Sequence, residues 1–314
     1  MPEANRKGSH ADAADAALLA GVREAVGARY EVDGILGAGA MGVVFRARET
    51  GSGREVAIKA MRPAIGYEDG VVERFRLEGQ VMEQLHHDHI VKVHARGEAG
   101  HILWIAMDLV AGDPASRLIG TGPLAWRRTA NFLAQAADAL FYAHGRGVIH
   151  RDIKPANLLV TPADKIVITD FGIARIVGTK RLTATGMTVG TPSYMSPEQV
   201  FLDGEVAPAT DQYSLGVVAC RMLAGDPPPL GNPARWAPSW KHARWRASLR
   251  SLGGPPDLSF LIARMVHPAV GRRWPDLGIV SRAAREIAAT GEAPWLRGVS
   301  ADRSLASTLR RLVR

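Results

Sequence analysis

Cysteine is almost absent: Cys220 stands alone in 314 residues, so no disulfide can form within the chain. That excludes a fold stapled by internal bridges and fits a reducing compartment. Long apolar runs are missing as well. No stretch approaches the roughly 20 uninterrupted apolar residues that a membrane-spanning helix requires. The alanine-rich stretch Ala11–Ala20 is broken by Asp12 and Asp15, and Met1 to His10 carries charges where a secretory leader has an apolar centre. A cytoplasmic protein is the expectation. Lysine is scarce: of the 39 basic residues only seven are Lys and the other 32 are Arg, within a formal net charge of +8. A GC-rich coding genome produces this bias, so the surplus is read as a solvated Arg-rich surface and no specific nucleic-acid partner is expected. There is no internal repeat and no low-complexity block.

What is present is an ordinary globular composition, 46 % hydrophobic, in a chain long enough for one large two-lobed domain. Residues 1–29 read as a frayed arm or short helix. Strand patterns begin at Tyr30-Glu31-Val32 and continue through Gly42–Ala47 and Glu55–Lys59, with the glycines of Gly51-Ser52-Gly53 marking a hairpin turn between the last two. Val71 to Leu85 has helical spacing in Phe75, Met82 and Leu85, and two more strands are expected at Ile90–His94 and Ile102–Leu109. From Ala111 the character turns helical. Trp126–His144 carries Phe132, Leu133, Ala136, Ala137 and Leu140 along one face, short strands are expected at Asn157–Val160 and Lys165–Ile168, and helices follow over Asp211–Leu223, Leu258–Met265 and Leu277–Ala289. The order is a small β-rich lobe followed by a larger helical one.

Three motifs carry chemistry. Leu36-Gly37-Ala38-Gly39-Ala40-Met41-Gly42-Val43-Val44 contains Gly-x-Gly-x-x-Gly. By itself this is either a plain hairpin turn or a nucleotide loop. A dinucleotide-binding fold would need a helix after the glycines, whereas Val43-Val44-Phe45 continues as a strand. A glycine-rich hairpin can lay backbone N–H groups over phosphates, because its glycines permit close approach. Val56-Ala57-Ile58-Lys59 then puts a lysine on a strand, and Glu78 supplies a carboxylate on the following helix. Taken singly, each is an ordinary solvated charge; their value lies in order and separation. The third motif is the most specific. His150-Arg151-Asp152-Ile153-Lys154-Pro155-Ala156-Asn157, followed by Thr169-Asp170-Phe171-Gly172, brings two carboxylates and an amide to one phosphate site. One carboxylate can orient an attacking hydroxyl, and two oxygen ligands can hold Mg²⁺ against the phosphates.

Over roughly Tyr30 to Ala289 the chain resembles the eukaryotic-like Ser/Thr protein kinases of bacteria. The resemblance implies an α+β, two-lobed protein kinase fold: a small antiparallel β-sheet lobe with one key helix at 30–110, and a larger, mainly helical lobe at 111–289, with ATP held between them. It implies Asp152 as catalytic base, Lys154 neutralising the transferred phosphoryl group, and Thr191 helping to form the substrate floor. Asn157 and Asp170 would hold Mg²⁺, with Mn²⁺ as an alternative. The ATP-binding set would be Leu36 through Val44, Ala57, Lys59 paired to Glu78, gatekeeper Met107, hinge residues Asp108 to Val110, and Leu159 beneath adenine. Asp211 would tie down the catalytic segment, and Met82, His150 and Phe171 fit a hydrophobic spine. Lys154 together with Gly190-Thr191-Pro192-Ser193-Tyr194 matches the Ser/Thr branch, which implies a protein substrate. A pseudokinase scaffold is the alternative, disfavoured because Lys59, Glu78, Asp152, Asn157 and Asp170 are all present. Departures are Ser196-Pro197-Glu198 in place of Ala-Pro-Glu, and an offset arginine partner for Glu198, either Arg272 or Arg273.

Arg151, next to the base, marks kinases in which a phosphate on the activation segment orders that loop. Thr183 and Thr185 stand at the spacing from Gly190-Thr191 that similar kinases autophosphorylate. Relatives also dimerise through the small lobe, so a homodimer is a further expectation. In the tail 290–314, Leu305, Leu309, Leu312 and Val313 alternate with Arg303, Arg310, Arg311 and Arg314. That basic amphipathic pattern suits packing on the larger lobe, or weak attachment to a membrane or an acidic partner.

Overall fold

The structure, a computed structural model, describes residues 17–38, 42–61, 79–99, 102–171, 192–201, 207–225 and 253–299. Gly39, Ala40, Met41, Glu78, Thr183, Thr185 and Thr191 lie outside the described residues, as do most of the helix expected over Val71–Leu85 and the tail from residue 300 onward. Among the described residues the chain forms two compact units. The first takes the residues up to His86 together with Val91–Val110; the second takes His87–Ile90 and the chain from Ala111.

The first unit is a five-stranded antiparallel sheet. Strands β1 (Tyr30–Ala38), β2 (Gly42–Glu49), β3 (Glu55–Met61), β4 (Val93–Ala99) and β5 (Ile102–Asp108) lie in the order β1-β2-β3-β5-β4. The β2–β3 turn closes through the Gly53 N–H donating to the Glu49 carbonyl at 2.7 Å, with Gly53 at φ +69°, as the glycines there predict. Gly42 opens β2 where a Cβ would stand 2.4 Å from the Ala60 carbonyl oxygen, so only glycine fits that register. The strand expected at Ile90–His94 is displaced along the chain. Ile90 belongs to the second unit, where it bridges Ile168, and β4 starts at Val93 and runs on to Ala99. As the edge strand of the sheet, β4 tolerates the polar residues Arg96 and Glu98, which mask its strand pattern.

Because paired residues of antiparallel strands share a face, the register sorts the sheet into two sides. Val44, Lys59 and Ile105 form one row; Phe45, Ile58 and Ala106 form another on the opposite face. That opposite face is covered. Helix α1 (residues 17–26) lays Leu18, Val22 and Val26 into a cluster with Tyr30, Val43, Phe45, Ile58 and Trp104, all buried. Within the segment 1–29 expected as a frayed arm or short helix, residues 17–26 are therefore a helix, and its 3.6-residue apolar stripe is one wall of the core. A second helix, α2, is described over 79–83, with Met82 buried.

The second unit is built around α4 (Trp126–His144), which packs on α6 (Pro208–Ala224) and α8 (Leu277–Thr290), with α3 (Ala115–Gly120), α5 (Pro197–Phe201) and α7 (Pro256–Met265) around them. All five residues expected on the inner face of Trp126–His144 are buried. Helix α6 is buried on every side, and its polar residues are anchors rather than surface. Gln212, for instance, exchanges two hydrogen bonds with the Trp274 backbone at 2.9 and 3.0 Å. Helix α8 starts at an Asp276 side chain accepting the Ile279 N–H and stops at Gly291 in the left-handed conformation. A short sheet, β6 (Asp113–Pro114), β7 (Leu158–Val160) and β8 (Ile166–Ile168), carries the segment that follows the chemical motif. Among the described residues no helix is long and apolar enough to cross a membrane.

Val22 is fully buried between α1 and the sheet. Val22→Ala is expected to lower the unfolding free energy by about 2 kcal/mol, the usual cost of a small core cavity, read from urea melts.

Candidate active site

In the first unit, the strand register puts Val44, Ala57, Lys59, Ile105 and Met107 on one side of the sheet. Lys59 is half-buried among apolar neighbours, a position that suits a fixed point charge. Val43 does not join them. Its side chain is fully buried on the opposite face beside α1, since neighbours along a strand alternate. The exposed Leu36 and Gly37 lie near the end of β1, and Ala38 pairs with Val43 at the mouth of the glycine turn. Where β5 ends, the Asp108 N–H donates to the Lys92 carbonyl at 2.9 Å. Its carboxylate takes a hydrogen bond from His94 Nε2 at 2.6 Å, and His94 Nδ1 accepts from Arg54 at 2.6 Å. No motif in the sequence announces His94, whose partners lie 14 and 40 residues away.

The second unit gathers the third motif around a single buried carboxylate. Asp211 on α6 is completely buried. It accepts the His150 N–H at 2.8 Å, the Arg151 N–H at 2.7 Å and His144 Nε2 at 2.8 Å. Burial alone would push this carboxyl up, but the hydrogen bonds from His144 and the His150 N–H outweigh it and hold it below the usual carboxylate range. The grip falls where the backbone is strained, because Arg151 sits at φ +68°, a conformation that L-residues avoid. Gln199 Nε2 adds a bond to the Arg151 carbonyl at 2.9 Å. Arg151 Nε is buried without a hydrogen-bond partner among the described residues.

Next to that anchor lies the chemical group. Asp152 accepts Lys154 Nζ at 2.8 Å, while Asn157 Nδ2 donates to the Asp152 carbonyl at 2.8 Å and to its carboxylate at 3.2 Å. Asp152 stays partly open to solvent. His150 is fully buried; its Nδ1 accepts the Asp152 N–H at 3.2 Å, which leaves Nε2 to meet the Thr169 carbonyl at 2.9 Å. Phe171 stacks on that ring at 4.6 Å, so His150 and Phe171, two members of the expected spine, touch. Asp170 adopts φ +61° directly before it. With Nδ2 committed to Asp152, Asn157 keeps its amide oxygen available, and a carboxylate stands at Asp170. Such a pair of hard oxygen donors suits Mg²⁺, which takes most of its remaining ligands from phosphates and water.

Below the site, Glu198 of α5 meets Arg273 in a bidentate pair at 2.7 and 2.8 Å, which resolves the choice between Arg272 and Arg273. Arg272 is exposed; Arg273 is buried and also donates to the Ala209, His267 and Pro268 carbonyls. Burial pushes the Glu198 carboxyl up, and the Arg273 hydrogen bonds and charge bring it below its ordinary value.

A family description for the protein kinase domain matches residues 30–241. The chain is similar to Serine/threonine-protein kinase PknA of Mycobacterium tuberculosis, 39 % identical over 212 residues, covering 66 % of this chain and 49 % of that protein. PknA of Corynebacterium glutamicum is 37 % identical over 269 residues, covering 81 % of this chain and 55 % of that protein. The chain thus spans about half the length of the curated relatives it matches. Among solved structures, the kinase domain of M. tuberculosis PknI is 32 % identical with a TM-score of 0.65, covering 82 % of this chain and 96 % of that one. Rad53 in complex with AMP-PNP, 21 % identical at a TM-score of 0.65 and covering 81 % of this chain and 64 % of that one, shares the fold.

Two depressed carboxyls, Glu198 and Asp211, tie stability to pH. Each contributes above the ordinary carboxylate value of about 4 and loses that contribution as pH falls through its lower folded value. Glu198→Gln is expected to cost about 3 kcal/mol at neutral pH, by leaving Arg273 buried and uncompensated. Urea melts below about pH 4 should then show a smaller gap between the variant and the unaltered chain.

Proposed function

This chain belongs to the protein kinase family, in its bacterial Ser/Thr branch, and on that premise we propose that it transfers the γ-phosphoryl group of ATP to Ser or Thr hydroxyls of a protein substrate. The observation that carries the reading is the Asp152 carboxylate, tethered by Lys154 and Asn157 in a segment held by Asp211. The substrate hydroxyl hydrogen-bonds to Asp152, and its oxygen attacks the γ-phosphorus as the bond to the β–γ bridging oxygen breaks. ADP leaves with that electron pair, and the hydroxyl proton passes to Asp152. Lys154 offsets charge on the transferred group. Lys59, with Glu78 as its carboxylate, grips the α- and β-phosphates, and the hinge backbone from Asp108 to Val110 reads adenine beside Ala57. Asn157 and Asp170 would hold a magnesium ion, which when bound offsets phosphate charge. A scaffold that never transfers phosphate has no use for this set.

Activation by autophosphorylation at Thr183 and Thr185 belongs to the same reading. A phosphate there would meet Arg151, whose Nε is buried without a partner among the described residues.

Asp152→Asn should lower ³²P transfer from ATP, to the chain itself and to a generic basic protein, by about 10³-fold while ATP still binds. Equal transfer by the variant and the unaltered chain would remove Asp152 from the role of base, and no transfer by either would favour a scaffold. Peptide mapping of the active chain should find phosphate on Thr183 or Thr185; phosphate on neither removes that proposal.

A further inference from the structure

Strand β4 carries one residue too many for its partner. Val93 pairs with Met107 and Ala95 with Ala106, so His94 lies between them without a partner on β5. A bulge of this kind re-aims the side chain of its extra residue. Here the ring meets the point where β5 ends: His94 Nε2 stands 2.6 Å from the Asp108 carboxylate, and Nδ1 stands 2.6 Å from Arg54 Nη1. A guanidinium can only donate, so Nδ1 accepts and Nε2 is left to donate to Asp108. Arg54 is itself held at the base of the β2–β3 turn, where its carbonyl accepts the Glu49 N–H at 2.8 Å. The His94 side chain is 8 % exposed, so little water competes for the two ring nitrogens.

Asp108 is the last residue of β5, while Leu109 and Val110 belong to no strand or helix, so their path depends on how the chain leaves the strand. That exit is tied twice. The Asp108 N–H donates to the Lys92 carbonyl at 2.9 Å, and His94 clasps the carboxylate. Asp108 pairs with Val56, whereas Met107 pairs with Ala57, so strand alternation sets the carboxylate on the face opposite Met107 and Ala57. The side chain therefore acts on a base beside Ala57 only through the backbone that it holds. One imidazole thus links the turn before β3, the bulge of β4 and the end of β5, all within the first unit.

We infer that His94 is a positioning residue for adenine recognition: braced by Arg54 and clasping Asp108, it sets the path on which the hinge backbone leaves β5. The inference rests on the nucleotide site proposed above. Its readout is the choice of base, because adenine presents an amino donor where guanine presents a carbonyl acceptor, and a backbone held in one place suits only one of them.

Calorimetric titration of the full chain with magnesium-ATP and, separately, with magnesium-GTP tests this, since the two ligands share ribose and phosphates and differ in the base. The unaltered chain should prefer ATP. Losing a shielded hydrogen bond to a carboxylate should make His94→Ala bind ATP about fivefold more weakly, with GTP affinity kept within about twofold. His94→Gln, whose amide can accept from Arg54 and donate to Asp108, should recover most of the lost ATP affinity. Unchanged ATP affinity in His94→Ala overturns the inference. So does a parallel loss of ATP and GTP, which a merely structural histidine would produce, and so does a Gln variant no better than the Ala one. Should His94→Ala fail to fold, His94→Phe fills the space without ring nitrogens and carries the test with the same outcomes. An unaltered chain that binds ATP and GTP equally leaves the nucleotide site standing but overturns the inference, whereas one that binds neither overturns the site itself.

Discussion

Asp211 is a full negative charge with no access to water, and the second unit is arranged so that this charge is worth keeping. An isolated buried carboxylate is prohibitively costly; three donors offset it here, two of them backbone N–H groups of the chemical segment. The compensation runs in both directions. Arg151 is held at φ +68°, where a non-glycine residue is strained, and its N–H is one of the groups that Asp211 takes. Remove the carboxylate and the strain has no restraint; relax the strain and the carboxylate loses a donor. The segment presenting Asp152 is therefore defined by a helix 60 residues further along the chain.

A second layer supports that anchor from α5. Gln199 reaches the Arg151 carbonyl, and Glu198, one residue before it, is locked to Arg273. The Arg273 guanidinium spends its donors on the two Glu198 oxygens and three backbone carbonyls, which is what permits so large a cation to be buried. Arg151 is thus held through its backbone from both sides, by Asp211 at its N–H and Gln199 at its carbonyl. Its side chain is left with a buried Nε that nothing described satisfies. A backbone fixed twice and a donor left over fit the proposed response of Arg151 to an anion.

The sequence is most legible where chemistry forces residue type. Asp152, Lys154 and Asn157 are close in the chain, and the hydrogen bonds among them follow from that local spacing. A helix with a clear apolar stripe, such as Trp126–His144, is legible to the residue at both ends because nothing tertiary competes with the pattern. Legibility falls off where the deciding partner is remote. His94, Gln199 and His144 carry no local mark, since each matters only through a residue brought near by folding. Spacing does not separate Arg272 from Arg273; burial does, because a one-residue step turns a side chain from solvent to core. Strand β4 escapes the pattern for a different reason, edge polarity hiding its second half.

Helix α1 answers a demand that the strands themselves make. A sheet with one wet face alternates apolar and polar residues, whereas Val43-Val44-Phe45, Val56-Ala57-Ile58 and Leu103–Met107 are continuous apolar runs. Such runs require a cover on both faces. The face bearing Lys59 accounts for half of each run, so the other half, Val43, Phe45, Val56, Ile58 and Trp104, requires a partner of its own. Leu18, Val22 and Val26 form the apolar helical stripe that precedes β1 and supplies it. Burying that stripe also fixes where Arg23 stands, one residue after Val22. There its guanidinium donates to the Val32 carbonyl of β1 at 2.9 Å, beside the register shift between Val32 and Gly34, so the core requirement and this grip on β1 are consequences of one helix.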